Sequence, residues 1–236
     1  MDQLKFRAIY EILKRQGNAV PPRFRFEWNE QDLYPCLNDD TETTPFDSHY
    51  VYSTSWAARI LKLSNPTVHH DISSSIFFAT IVSAFIPVKF FDYRPVAITL
   101  SNLECGQADL LSLPFANDSI SSLSCMHVVE HIGLGRYGDS VDYDGDLKAI
   151  AELKRVVAPG GLLLFVVPLG GVSIIKYNAH RIYLFEQICE YFTGWSILNF
   201  SAVFDNGMFL ANCNPQLVER QNYVCGCFGL QKPIQA

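Results

Sequence analysis

The hydrophobic pattern of this chain changes period along its length. Residues 2–16 carry Leu4, Ala8, Ile12 and Leu13 at helical spacing, which predicts an amphipathic helix. Residues 17–50 lose any period, contain Pro21, Pro22, Pro35 and Pro45, and run through the polar stretch 38–44. They read as an extended arm or lid whose Phe24, Phe26, Trp28, Leu33 and Tyr34 need a surface to pack on. A second helix spans 53–63 and stops before Pro66. Apolar runs and helical stretches then alternate: strand 67–71, helix 74–85, strand 88–92, a weaker strand 97–100, strand 120–126, helix 146–158, strand 162–168 and helix 179–192. Two more strands, 195–204 and 223–230, follow with only a polar loop between them. Leu147, Ile150, Leu153 and Val157 face the core from the helix that begins near Asp146, a residue placed to cap it.

Alternating strands and helices imply right-handed crossovers and a parallel sheet. The last two strands lack a helix between them and predict an antiparallel pair. The expected fold is α/β: a Rossmann-like, mostly parallel, seven-stranded sheet with a C-terminal antiparallel strand pair. Residues 1–65 would form an N-terminal helical or extended cap and residues 66–236 the α/β domain.

Composition narrows the classes. At 236 residues the α/β domain buries a sizeable core without staples. A net charge of −6 argues against nucleic acid, which needs clustered Lys and Arg. Lys5, Arg7, Lys14 and Arg15 are clustered but read as a solvated helix face. The 7 cysteines are scattered, without zinc or redox spacing, so no metal is expected. Cys125 and Cys189 read as buried small hydrophobes, and Cys225 and Cys227 would share a strand face. The start MDQLKFRAIYEILKRQ has no signal-peptide pattern, and no apolar run reaches membrane-spanning length. A reducing, cytoplasmic setting without a membrane is the expectation.

Candidate chemistry gathers at the carboxyl ends of the predicted strands, where open α/β sheets bind ligands. After the first strand comes Asp71-Ile72-Ser73-Ser74-Ser75, with no glycine. Ser73 either caps the next helix or presents hydroxyl and amide groups to an anion. Asp92 ends the second strand in Phe90-Phe91-Asp92-Tyr93-Arg94-Pro95, where a carboxylate can accept from both hydroxyls of a ribose or hold its own turn. Asp109-Leu110 precedes Leu113-Pro114-Phe115. Met126-His127-Val128-Val129-Glu130-His131 follows the next strand, and a neutral imidazole there can accept a proton. The loop Gly133–Asp139 carries Arg136 and Tyr137. The acids 139, 142, 144 and 146 lack the glycine and terminal Glu of a calcium loop. Asn178-Ala179-His180-Arg181 reads as part of the cleft rim, where Arg181 suits a carboxylate or phosphate.

These segments together resemble the class I S-adenosylmethionine (SAM) dependent methyltransferases, and among them a family of short methyltransferase-like proteins of uncharacterised function. The resemblance covers residues 66–204. It rests on Asp-Ile-Ser-Ser-Ser, Phe-Asp-Tyr-Arg-Pro, Glu-His-Ile-Gly-Leu-Gly-Arg-Tyr-Gly-Asp and Asn-Ala-His-Arg. It departs from the superfamily pattern at the first loop, which is usually glycine-rich.

The resemblance implies SAM as cofactor, held by Asp71, Ser73, Asp92, Tyr93, Asp109, Leu110 and His127. It implies a small hydroxylated acceptor, a sugar or glycan among the options, contacted by Glu130, Arg136, Tyr137, Asn178 and Arg181. His131 or His180 would be the base. A homodimer is compatible with these features. The alternative is a catalytically inactive methyltransferase-fold subunit or binding module, which the missing glycines would favour.

Overall fold

The computed structural model describes residues 2–18, 26 and 29–234, and residues 1–46 and 47–236 form separate compact units. In the first unit, helix α1 (Gln3–Asn18) precedes a single 3-10 turn at Glu30–Asp32, capped by the Asn29 side chain. Lys5 pairs with Asp40 at 2.6 Å and Lys14 with Glu30 at 3.2 Å. Such exposed pairs stabilise little. The aromatic residues expected to be packed are not all so: Phe26 and Tyr34 are exposed, while Phe24 and Trp28 lie outside the described residues.

The second unit begins with α2 (Ser48–Ser64), five residues earlier than expected. Asp47 caps it by accepting from the Tyr50 amide, and Asn65 ends it in the left-handed region. Then come β1 (His69–Ile72), α3 (Ile76–Val82), β2 (Val88–Asp92), β3 (Leu103–Gln107), β4 (Ile120–Met126), α4 (Gly145–Val156) and β5 (Val157–Leu169). A hairpin of β6 (Ile174–Lys176) and β7 (His180–Ile182) leads to α5 (Phe185–Tyr191), β8 (Ser196–Phe204), β9 (Phe209–Leu210) and β10 (Val224–Gln231).

The main sheet runs β3-β2-β1-β4-β5-β10-β8-β9. Strands β1 to β5 are parallel, and β10 lies antiparallel between β5 and β8. The expected antiparallel pair is therefore present. The sheet has eight strands rather than seven because the two-residue β9 folds back on β8. Strict alternation along β5 explains the two-sided core. Leu163, Phe165 and Val167 pack with Ile150, Leu153 and Phe192, while Leu164 and Val166 pack with Trp56, Leu61 and Phe78.

Four local expectations are corrected. Residues 97–100 contribute only an isolated bridge between Leu100 and Leu103, and the third strand is Leu103–Gln107. The apolar residues Val96, Ile98 and Leu100 are exposed, so their alternation faces no core. The strand expected over 162–168 begins earlier, so that Pro159-Gly160-Gly161 lies within β5, where the register to β4 shifts. A Cβ on Gly161 would meet the Ala158 carbonyl oxygen at 2.7 Å, so the bulge needs glycine. The helix expected over 179–192 is a β-strand followed by a short helix, because the hairpin buries Arg181 and Ile182. Finally, Leu147 is exposed, and Asp146 is buried against Tyr183 and Arg181 instead of capping α4.

Candidate functional site

Strand order reverses between β1 and β4, and the cleft opens at the carboxyl ends of the parallel strands there, as the switch-point rule requires. A cavity of about 330 Å³ is lined by Ser73 and Ser74 after β1, Asp92, Tyr93 and Arg94 at the end of β2, and Asp109 and Leu110 after β3. Met126 at the end of β4, His127 and His131 after it, Tyr50 from α2 and Tyr137 complete the wall. This volume lies within the roughly 300–1,000 Å³ of small-molecule sites. A second cavity of about 320 Å³ has Tyr50, His127, His131 and Tyr137 in common with the first. It adds Asp47, His49, Glu130, Arg136, His180 and Tyr223. The site is thus two chambers with a common wall, and four of the protein's 6 histidines surround the second.

The loop after β1 solves its lack of glycine by strain. Ser73 adopts φ 54°, the left-handed conformation that glycine takes freely. For an L-residue this costs roughly 1–2 kcal/mol. The Ser73 amide and hydroxyl both donate to the Phe91 carbonyl, at 2.7 and 3.3 Å. Ser73 does not cap α3; Ser75 occupies that position and makes no side-chain cap bond. His127, at the end of β4, is also left-handed, at φ 58°. Two strained residues facing one cleft mark where the chain is held against its preference.

Asp92 and Asp109 each use one oxygen to hold a turn. Asp92 Oδ1 accepts from the Arg94 amide at 2.8 Å, and Asp109 Oδ1 from the Leu111 amide at 2.9 Å. Among the described residues neither Oδ2 has a protein partner in a hydrogen bond, so each leaves an acceptor for a ligand. Leu110 and Ala108 supply an apolar floor beside Asp109.

In the second chamber, a 3-10 turn at Val129–His131 presents Glu130 and His131. His131 Nδ1 lies 2.6 Å from the Ala179 carbonyl oxygen. A carbonyl only accepts, so Nδ1 carries the proton and Nε2 is the basic nitrogen of the neutral ring. Arg136 Nη1 donates to the same carbonyl at 3.1 Å. Glu130 is 1% exposed; its Oε1 accepts from His127 Nδ1 at 3.3 Å, and its Oε2 has no partner. His180 Nε2 is likewise buried without a partner, and burial pushes that imidazole's pKa down. A buried polar atom left unpaired is costly, and both of these residues line the same chamber.

His127 bridges Glu130 and the Cys225 sulfur, the latter 3.3 Å from Nε2. Burial opposes its charge, but Cys225 and Glu130 outweigh that and push its pKa up to about 10. Burial also raises the Cys225 thiol well above its ordinary range. A histidine whose folded pKa exceeds its unfolded value of 6.5 stabilises fully below pH 6.5 and loses that contribution as pH rises toward 10. Stability is therefore expected to fall between pH 7 and 9, by at most about 1.4 kcal/mol per pH unit. Urea midpoints at the two pH values check this: the wild type should lose stability on going to pH 9, and His127→Gln should lose much less. Equal slopes would contradict the assignment.

Three residues expected at the cleft from sequence are elsewhere. Asp71 is fully buried, bonded to Ser74 and Ser124, and lines neither chamber. Arg181 is buried, donating to the Ile132 carbonyl at 2.7 Å and the Tyr143 carbonyl at 2.9 Å, with Asp146 at 3.5 Å. It clamps loops instead of facing the chambers. Asn178 is exposed in the β6–β7 turn and lines neither chamber. The structure brings together Ser73, Asp92, Tyr93, Asp109, Leu110 and His127 in the first chamber, and Glu130, Arg136, Tyr137, His131 and His180 at the second.

Sequence reasoning missed Asp47, His49, Tyr50 and Tyr223. The first three were legible: Asp47 is a good N-cap, and starting α2 there puts His49 and Tyr50 on its first turn. Tyr223, stacked on His49 at 5.3 Å, follows an irregular loop and left no such signal. Among the described residues no cluster of His, Cys, Asp and Glu suits a metal ion, and no helix is long and apolar enough to cross a membrane.

The fold is that of the class I SAM-dependent methyltransferases. A putative sarcosine dimethylglycine methyltransferase from Galdieria sulphuraria superposes with a TM-score of 0.55 at 14% identity, covering 78% of this chain and 86% of that one. The N-methyltransferase NodS from Bradyrhizobium japonicum, solved with S-adenosyl-L-homocysteine, gives 0.51 at 15% identity, over 78% and 88%. The [4+2]-cyclase SpnF gives 0.51 at 16% identity, over 76% and 82%. Within the sequence, residues 110–221 match the family described as "Caenorhabditis protein of unknown function, DUF268". No curated protein matches the chain.

Proposed function

We propose that this protein binds SAM in the first chamber and transfers its methyl group to a hydroxylated small molecule, such as a sugar or glycan unit, held in the second. The observation that carries the reading is the two-chamber site: acceptor oxygens of Asp92 and Asp109 in one, a basic nitrogen and an unpartnered carboxylate oxygen in the other. The residues fit the cofactor. Asp92 would accept from the ribose hydroxyls and Asp109 from the adenine amino group over the Leu110 floor, and the Ser73–Ser74 loop, its amides already bonded to Phe91 and Asp71, would border the methionine end by its shape. When bound, SAM supplies an electrophilic methyl group on a sulfonium.

The chain's own residues then do two things. The unpartnered Glu130 Oε2 would orient a methyl acceptor through one of its O–H or N–H groups. His131 Nε2, fixed as the basic nitrogen by the Ala179 carbonyl, takes the proton from the hydroxyl being methylated. Arg136 and Tyr137 border the opening to this chamber. A positioned base contributes roughly 10²–10⁴-fold to rate. The neighbours bearing methyltransferase names, two of them N-methyltransferases by name or title, support methyl transfer as a class of chemistry on this fold. The strained but intact loop at Ser73 favours binding over a vestigial site.

The test is transfer of labelled methyl from SAM to a panel of monosaccharides, polyols and glycans. His131→Gln should lower kcat about 100-fold or more on whichever acceptor turns over, with little change in SAM affinity. Loss of SAM binding without loss of turnover per bound cofactor would remove His131 from the base role.

A further inference from the structure

A chain of buried polar groups runs through the sheet toward the first chamber. His69 on β1 is fully buried, with Nδ1 2.8 Å from Ser122 Oγ and Nε2 2.9 Å from Ser124 Oγ, both on the adjacent β4. Ser124 in turn donates to Asp71 Oδ2, and Asp71 Oδ1 accepts from the Ser74 amide at 3.0 Å. Ser74 Oγ accepts from the Met126 amide at 3.0 Å. The side chains of His69, Asp71, Ser122 and Ser124 are all at most 2% exposed.

The proton order along this chain follows from valence. Ser124 has one hydroxyl proton and gives it to the carboxylate, so it must accept from His69 Nε2–H. His69 Nδ1 then has no proton and accepts from Ser122. Every member is satisfied, which is the condition under which a buried network specifies one geometry. Its last link fixes Ser74 at both amide and hydroxyl, one residue after the strained Ser73.

We infer that His69, Ser124 and Asp71 are positioning residues that hold the glycine-free Ser73–Ser74 loop in the conformation that receives the methionine end of the cofactor. The inference rests on the SAM-binding reading above. A glycine-rich loop adopts its turn without opposition. Here the left-handed Ser73 must be held from outside: the Phe91 carbonyl holds it directly, and the buried network holds its neighbour Ser74. Asp71 thereby acts on ligand binding without touching the ligand.

The role predicts a selective defect. Adenosine engages only the Asp92 and Asp109 end of the chamber, whereas S-adenosylhomocysteine also reaches the loop. Titration calorimetry of the full chain with both ligands should show Ser124→Ala weakening S-adenosylhomocysteine about tenfold or more while adenosine changes less than about twofold. Ser124→Thr, which keeps the hydroxyl, should restore binding. Asp71→Asn, which keeps the shape but breaks the proton order, should repeat the selective loss and serves if Ser124→Ala does not fold. Equal weakening of both ligands, or wild-type affinity in both variants, would overturn the role. Wild-type protein that binds neither ligand would overturn the SAM reading itself, and this proposal with it.

Discussion

Replacing Asp92 by alanine is expected to reduce affinity for S-adenosylhomocysteine by one to two orders of magnitude while leaving the fold intact. Asp92 is only half-buried at the end of β2, so its removal opens no core cavity. Its Oδ1 bond to the Arg94 amide belongs to a solvent-accessible turn that water can satisfy. Its unpartnered oxygen is what a ribose would need. Hydrogen bonds to a charged group contribute about 1.5–3 kcal/mol, and about 1.4 kcal/mol is a factor of ten in affinity. Calorimetric titration of wild type and variant, with a melting curve for each, separates the two effects. Unchanged affinity would remove Asp92 from the cofactor site.

Arg181→Ala should do the reverse: strongly destabilise the fold without a specific effect on ligand. The guanidinium is 5% exposed and joins three segments, the Val129–His131 turn, the loop at Tyr143 and helix α4 through Asp146. Removing it leaves the buried Asp146 carboxyl with only the Tyr183 hydroxyl, at 3.0 Å. Breaking a buried pair from one side costs roughly 3–5 kcal/mol, a large part of the about 5–15 kcal/mol that a domain has. Arg181→Lys should recover little, because an ammonium cannot reach both carbonyls and the carboxylate as the planar fork does. Urea denaturation at neutral pH measures both variants. A variant with wild-type midpoint and weakened acceptor binding would return Arg181 to the substrate-contact role its sequence position suggests.

That reversal shows where sequence reading stops. The strands β2 and β4 were legible to the residue, because short stretches centred on Val88, Phe90 and Phe91 or on Ile120, Leu123, Cys125 and Met126 are bounded by polar turns. The parallel sheet and its antiparallel end followed from element order alone. Asp92 was legible as the end of a readable strand, Asp109 as the acid before the Leu113-Pro114-Phe115 turn, and Glu130 and His131 as the pair four and five positions past β4. Asp71 and Arg181 were not, since a charged residue near a strand end looks the same whether it faces a ligand or is buried against its neighbours. What decides is the partner set: Ser124 from a strand 53 residues away for Asp71, and carbonyls 38 and 49 residues away for Arg181. No local pattern records those distances. The strand His180–Ile182 was read as the start of a helix for a related reason, since it is only three residues long and shows no period.

The fold narrows the chemistry without fixing it. Among the solved structures that share it is a [4+2]-cyclase as well as methyltransferases, so function must be argued from the site. The departure from the glycine-rich loop does not by itself speak against a cofactor. Ser73 reaches the left-handed conformation that glycine would have taken, held by the Phe91 carbonyl, while the buried polar chain fixes Ser74 beside it.

The most direct measurement is a calorimetric titration of the wild-type protein with S-adenosylhomocysteine. The account predicts saturable heat with one site per chain, lost or strongly weakened in Asp92→Ala. Absence of saturable binding by correctly folded wild-type protein would contradict it.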